Sequence, residues 1–320
     1  MKGKVVLVTG ANGEMGHLLL PEITKQKPEK ILTLDLHPLH PELKTYVHRS
    51  FLGSVSDRQI IRQIFIDHSI DVVIHLAAKL TTSCEKNPDL AFEANVVGTN
   101  NLLTQAAQSQ KYVQFFFPSS ISVYGLPNVE VKNETKIKET DHVNPATLYG
   151  VQKVYGEMLG KYYDKKGKVD FRCIRFPGLM SADTLPSCGT SDFAPEIVHH
   201  FAHHKNYSCY ARAKSYLPFM AMPDAVSAIL SLMTAPKENL TQHVYNIYAT
   251  KASPEDIIEI CKKHFEQDID ITYNIDALRQ SILDTWPKET DDKKARVDWS
   301  WEPKYGGDEA FTKFLIPKII

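Results

Sequence analysis

The stretch that most constrains this chain lies near its start, Val5 to Gly16, and reads V-V-L-V-T-G-A-N-G-E-M-G. A β-branched apolar run ends at Thr9, glycines follow at Gly10, Gly13 and Gly16, and a helix-compatible segment runs from His17 to Lys25. Strand, glycine turn and helix in that order form the context in which such a triplet binds a dinucleotide. Gly10 can take backbone angles that a side chain forbids. Gly13 lets the backbone approach a pyrophosphate, and Gly16 lets helix and strand pack tightly. The N–H groups and dipole at the start of the helix would then hold the phosphates. Asn12, Glu14 and Met15, which lie between the glycines, belong to the same expected cofactor site.

A second strand, Lys30 to Leu34, ends at Asp35. An acid at that strand end accepts hydrogen bonds from the adenosine ribose hydroxyls. It would repel a 2′-phosphate, and no arginine follows to welcome one, so the expected cofactor is NAD rather than NADP. Further on, Thr45 to His48 reads as a short third strand. Asp57 to His68 carries apolar residues at helical spacing, Ile60, Ile61, Ile64 and Phe65. Asp71 to His75 is a buried strand that runs into Leu76, Ala77 and Ala78, small residues against which a flat ring can lie. Asn87 to Gln108 is a long helix with Pro88 acceptable in its first turn. Val113 to Phe117 is a strand closed by Pro118, Ser119 and Ser120; Glu130 to Asn144 reads as loop, Pro145 to Asp164 as helix and Val169 to Phe176 as strand.

Strands alternating with helices, the strands apolar nearly throughout, predict an α/β fold, a Rossmann-type doubly wound parallel sheet. Ligands in such sheets bind at the carboxyl ends of the strands, where Asp35, His75 and Ser120 fall. Past Phe176 the alternation loses its regularity, which suggests a smaller C-terminal α/β cap. The expected division is an NAD-binding domain over 1–176 and a substrate-binding cap over 177–320, interleaved so that part of 212–250 returns to the first domain.

Bulk properties exclude several classes. The chain has 320 residues, 43% of them apolar, and a formal net charge of −1. That charge lacks the basic footprint that nucleic acid requires. The five cysteines (Cys84, Cys173, Cys188, Cys209 and Cys261) are odd in number and scattered, as suits a reducing compartment. The most apolar region, Leu217 to Met233, is interrupted by Pro218, Pro223 and Asp224, so no membrane span is expected. Val5 already belongs to the fold, so no signal peptide is expected, and the setting read from these features is the cytoplasm or the mitochondrial matrix.

The chemistry is carried by Tyr149 and Lys153, which share one face of a helix at a spacing of four. A free phenol, with a pKa near 10, is a poor base at neutral pH. A cation one turn away stabilises the phenolate and should lower that value. Ser120, at a strand end, can fix a substrate oxygen against the phenol. Together they suit alcohol oxidation, the phenolate taking the proton while hydride leaves to NAD. His199, His200, His203 and His204 form two i, i+4 pairs, but no acid or cysteine stands nearby to complete a metal site, and a half-exposed helix face is expected.

The motifs T-G-A-N-G-E-M-G, H-L-A-A, S-S-I-S-V-Y-G and Y-G-x-x-K resemble the extended short-chain dehydrogenase/reductase superfamily, which includes UDP-galactose 4-epimerase. Longer pieces, Leu148 to Gly160, Val169 to Gly178, Leu217 to Ala225 and Trp286 to Trp299, resemble its L-threonine 3-dehydrogenase family. The resemblance implies Tyr149 as proton acceptor, Lys153 as its helper and Ser120 as the substrate-orienting hydroxyl. It puts Thr81, Thr190 and Trp286 near an amino-acid substrate. It puts Leu36, Ser54, Val55, Leu76, Ala77, Ala78, Asn95 and Pro177 near the cofactor or in support of its site. The implied reaction is NAD-dependent oxidation of L-threonine to 2-amino-3-oxobutyrate, in a homodimer joined through the two long helices. Thr81 stands where serine is usual, Ser54 where aspartate is common, Ser187-Cys188-Gly189 replaces a glycine-richer run, and Phe219 and Ala221 replace methionine and tyrosine. The reaction class survives these departures, which bear on substrate preference and rate. Cys188, near a predicted substrate loop, reads as an unreactive thiol. A nucleotide-sugar epimerase or dehydratase on the same scaffold tends to place asparagine after the R-F strand end, where this chain has Pro177. Non-catalytic NAD-binding relatives typically lose the tyrosine or lysine, and both are present.

Overall fold

The computed structural model describes every residue except 135, 183–188, 266–267 and 320. Its strands in chain order are β1 (Val5–Thr9), β2 (Lys30–Asp35), β3 (Arg49–Leu52), β4 (Val72–His75), β5 (Val113–Ser120), β6 (Val169–Phe176), β7 (Gly178–Met180), β8 (Tyr207–Cys209), β9 (Leu217–Ala221), β10 (Val244–Asn246), β11 (Thr250–Ala252) and β12 (Ile271–Tyr273). Seven of them form one sheet in the order β10-β6-β5-β4-β1-β2-β3, and every pairing in it is parallel. The winding reverses between β1 and β4, which opens a crevice at their carboxyl ends.

The sheet is dry on both faces. Val5 and Leu7 pack with Val73, Phe115 and Leu102 on one side, while Val6 and Val8 pack with Ile74, Phe116 and Leu19 on the other. Successive strand residues point to opposite faces, so a strand buried on both reads as a nearly continuous apolar run. The helix Glu14–Lys25 covers the second face and packs against the helix Met222–Thr234, which comes from far along the chain. The same return brings β10 beside β6, in register from Val244 opposite Cys173 to Asn246 opposite Arg175. Two small sheets, β11-β9-β7 and β12-β8, lie in the remaining C-terminal part.

Three expectations needed correcting. The third strand is Arg49–Leu52, not Thr45–His48, because Pro41 opens a 3-10 turn over Pro41–Tyr46 that is anchored by buried Leu43. A short helix, Val129–Glu134, lies within the polar segment expected to be loop. Its Lys132 is buried and donates Nζ–H to the Leu283 carbonyl at 2.6 Å. The helical stretch from Pro88 to Gln108 is not uniform but carries a π-helical segment at Phe92–Val97. Among the described residues no helix is long and apolar enough to cross a membrane.

Candidate active site

A cavity of about 610 Å³ opens at the carboxyl ends of the sheet strands. Its floor is the glycine loop, Gly10, Gly13, Glu14, Met15 and Gly16. Gly10 has φ +69°, and a Cβ there would lie 2.6 Å from the Ala77 nitrogen. A Cβ on Gly16 would lie 2.2 Å from the Ala11 carbonyl oxygen. Both positions therefore exclude any side chain. No side chain caps the following helix at Gly13, so its first turn offers backbone donors and a positive dipole end to the cavity. This cradle fits the pyrophosphate of a dinucleotide.

Asp35 stands at the end of β2 beside this loop. Its Oδ2 accepts the Asn12 N–H at 3.0 Å and its Oδ1 accepts the His37 N–H at 3.2 Å. Asn12 in turn donates Nδ2–H to the His37 and Pro38 carbonyls. The carboxylate thus ties the glycine loop to the segment after β2, and its negative charge would repel a 2′-phosphate brought beside it. A like charge at that point costs several kcal/mol. The ratio of kcat/KM for NAD over NADP should therefore exceed about tenfold, and Asp35→Ser should reduce that ratio, as read from initial rates with each cofactor.

The helix Leu148–Lys165 sets the catalytic candidates. Thr147 caps it, its Oγ1 accepting the Gly150 N–H at 3.1 Å. A Cβ on Gly150 would come within 2.1 Å of the Ser122 carbonyl oxygen, so this first turn is pressed against the turn that follows β5. The result is that Ser120, Tyr149 and Lys153 line one cavity together with the glycine loop. Ser120 Oγ accepts the Ser122 N–H at 3.1 Å, which orients the hydroxyl while its hydrogen stays available to donate. Lys153 is buried and donates Nζ–H to the Pro118 carbonyl at 2.6 Å. Its Nζ lies 5.2 Å from the Tyr149 ring centre and 4.8 Å from that of Phe117.

The electrostatics differ from the expectation that the lysine lowers the tyrosine. Burial holds the Tyr149 phenol above its ordinary value, with Cys84 reinforcing the effect. Burial likewise pushes the Lys153 ammonium down to about 8. Within the protein alone desolvation prevails.

Thr81, Thr190 and Trp286 also line the cavity, as do Leu76, Ala78 and Pro177. The other predicted positions stand beside or behind it. Asn95 is buried and braces the wall: its Oδ1 accepts the Lys79 N–H at 2.7 Å, and its Nδ2–H donates to Gln152 Oε1 at 2.6 Å. The π-helical segment that contains Asn95 aims it there. Ala77 packs behind the cavity with the Leu7 side of the sheet. Ser54 Oγ accepts the Ser56 N–H, Val55 is buried against Gly98, and Leu36 is exposed.

His75, read from the sequence as a strand-end site residue, is a structural brace. Thr99 Oγ1 donates to the Asn95 carbonyl, so it accepts from His75 Nε2–H, and His75 Nδ1 accepts from Thr9 Oγ1 at 2.8 Å. Burial pulls its imidazole down to about 3, so the ring is neutral. Phe219 and Ala221 are also buried; Phe219 meets Phe193 edge-on at 5.5 Å, so these departures alter packing behind the site. Ser187 and Cys188 lie outside the described residues. His203 Nδ1 bonds the His199 carbonyl, and these histidines gather no metal group among the described residues.

Sequence reasoning missed the support beneath the site. Glu157 and Arg175 are both buried and form a two-pronged ion pair, Nε to Oε1 at 2.8 Å and Nη2 to Oε2 at 2.7 Å. Ser119, next to Ser120, donates Oγ–H to Glu157 Oε1 at 2.6 Å. Arg175 Nη1 donates to Tyr124 Oη, which donates to Asn246 Oδ1 of β10. The signal in the sequence was faint: Arg175 interrupts a strand that is buried along its whole length, while Glu157 sits on a helix that carries several other charges.

Comparison with known proteins agrees with this geometry. The profile of the NAD dependent epimerase/dehydratase family matches residues 6–247. The mitochondrial L-threonine 3-dehydrogenase of Bos taurus is 33% identical over 312 residues, which cover 97% of this chain and 81% of that protein. The solved L-threonine dehydrogenase of Clostridium difficile superposes with a TM-score of 0.89 at 32% identity, covering 100% of this chain and 98% of that one. A monomeric L-threonine 3-dehydrogenase from a metagenome gives 0.86 at 34% identity, with 98% of both chains covered. A loop whose Gly10 and Gly16 admit no side chain and a profile match over residues 6–247, nearly the whole parallel sheet, lead to one conclusion: the chain belongs to the NAD-dependent epimerase/dehydratase family and uses NAD as its cofactor.

Proposed function

We propose that this protein oxidises the side-chain hydroxyl of L-threonine, giving 2-amino-3-oxobutyrate, NADH and a proton. The observation that carries the reading is that Ser120, Tyr149 and Lys153 share one cavity with the glycine loop and with Thr81, Thr190 and Trp286. When bound, NAD supplies the ring carbon that accepts hydride and a positive charge that offsets the cost of a buried phenolate. Ser120 donates to the substrate oxygen and holds it against Tyr149. The Tyr149 phenolate takes the hydroxyl proton as the carbon–hydrogen bond breaks, so two electrons and one hydrogen leave as hydride and the second hydrogen leaves as a proton. Lys153, fixed by the Pro118 carbonyl, holds a cation beneath the tyrosine ring.

The names of the Bos taurus and Clostridium difficile relatives support the substrate. The test is a panel of L-threonine, its allo isomer, L-serine and UDP-galactose, with NADH absorbance and sugar-nucleotide turnover as readouts. L-Threonine should be oxidised fastest; turnover of UDP-galactose alone would overturn the reading in favour of an epimerase.

The assembly we propose is a homodimer through the Pro88–Gln108 and Leu148–Lys165 helices. Its support is a set of exposed apolar side chains on them: Leu90 and Phe92 on one, Val151, Met158 and Tyr162 on the other. Light scattering should give twice the chain mass, and Met158→Glu should shift it toward the monomer; a monomer mass for the unaltered protein would place it with the metagenomic relative.

A further inference from the structure

Three side chains outside the catalytic cavity converge on one point. His17 sits one turn into the helix Glu14–Lys25, and His40 and Glu42 follow β2, Glu42 in the first turn of the Pro41–Tyr46 element. His17 Nε2 lies 3.4 Å from His40 Nδ1 and 3.5 Å from Glu42 Oε1, and His40 Nδ1 lies 3.5 Å from the same oxygen. Together these ligand atoms are the one group of three His, Cys, Asp or Glu ligands gathered among the described residues. The triangle is close to equilateral. A tetrahedral zinc ion with bonds of about 2.0–2.1 Å separates its ligand atoms by roughly 3.3–3.4 Å. One face of such a tetrahedron therefore fits the three atoms nearly as they stand.

The hydrogen-bonding arithmetic points the same way. His17 Nδ1 lies 3.0 Å from the Gly13 carbonyl oxygen, which accepts its N–H. In the neutral ring Nε2 then carries a lone pair, and that lone pair faces a carboxylate. His40 Nδ1–H can serve one of these acceptors and not both. Two or three electron pairs are thus directed at one centre with at most one proton among them. A backbone carbonyl that fixes the outer nitrogen of a histidine is also the usual arrangement behind a metal-bound imidazole.

We propose that His17, His40 and Glu42 bind a divalent transition metal ion of the zinc class, with the fourth position open to water. His40 N–H also donates to Asn12 Oδ1, and the Asn12 N–H donates to Asp35, so the ion would clasp the segment after β2 to the first turn of the glycine-loop helix. None of its ligands lies in the catalytic cavity.

The test is direct metal binding by tag-free protein, with zinc titrated against a chromophoric chelator. One equivalent per chain is expected. His40→Ala and Glu42→Gln, both at exposed positions, should each weaken that binding by more than about tenfold while far-UV circular dichroism stays unchanged. His203→Ala, which alters the other histidine cluster, should leave binding intact. Cobalt in place of zinc should show the intense visible absorption of a four-coordinate ion. No stoichiometric zinc, equal binding by the ligand variants, or loss of binding in the His203→Ala protein would each overturn the assignment.

Discussion

Replacing Tyr149 with phenylalanine is expected to lower kcat for L-threonine oxidation by about 10²- to 10⁴-fold, the usual contribution of a positioned acid–base group. The substitution removes one oxygen. The ring, which packs with Cys84 and Ala91, can stay in place, and the glycine loop proposed to hold the pyrophosphate is untouched. NAD affinity, measured by quenching of protein fluorescence, should therefore match that of the unaltered enzyme. A variant with unchanged turnover would remove the tyrosine from the mechanism. A variant that lost NAD binding as well would show that the phenol holds the cofactor rather than the proton. Lys153→Met separates the helper from the acceptor: it should move the ionisation seen in kcat to higher pH, because the phenolate then forms without its nearby cation.

The second large effect concerns stability. Glu157→Ala should destabilise the fold by about 3–5 kcal/mol, the cost of leaving one partner of a buried ion pair uncompensated. Arg175 would keep its charge in a nearly water-free place, bonded to Tyr124 Oη and the Glu139 carbonyl but without a counter-charge. Ser119 would lose its acceptor one residue from Ser120. Urea denaturation should show the loss as a lower midpoint, and a midpoint within error of the unaltered protein would mean that the pair contributes nothing net. Replacing both partners with apolar residues of similar volume should restore part of the stability, since it is the unpaired charge that is costly.

The parallel sheet was legible because strands buried on both faces read as nearly continuous apolar runs, as Val5–Thr9 and Val72–His75 do up to their last residues; Val169–Phe176 is buried throughout but breaks the run with Asp170, Arg172 and Arg175. The glycine loop and the Tyr149–Lys153 pair were legible because each is local: one turn, one helix face. What escaped notice depends on contacts between distant segments. The third strand was placed too early because Thr45 to His48 looks extendable, while Pro41 and buried Leu43 commit it to a tight turn. His75 has the chemistry of a site residue, and only the positions of Thr9 and Thr99 show that both of its nitrogens are already engaged. Asn95 lies on a helix whose phase is shifted by the π-helical segment, so helical periodicity alone could not say which way it points. The His17, His40 and Glu42 group joins a helix to a segment more than twenty residues on, and no fixed spacing announces it.

The late return of β10 to the sheet has a consequence for how the protein is made. Until residues 244–246 leave the ribosome, β6 has one open flank, a row of unpaired backbone groups beside Arg175. Asn246, which closes the polar chain running from Arg175 through Tyr124, also arrives only then. The seven-stranded sheet thus cannot be completed early in synthesis, although all of its strands but β10 emerge first. Newborn chains pass through an interval in which a sticky edge awaits its last neighbour, the moment at which a chaperone has most to offer.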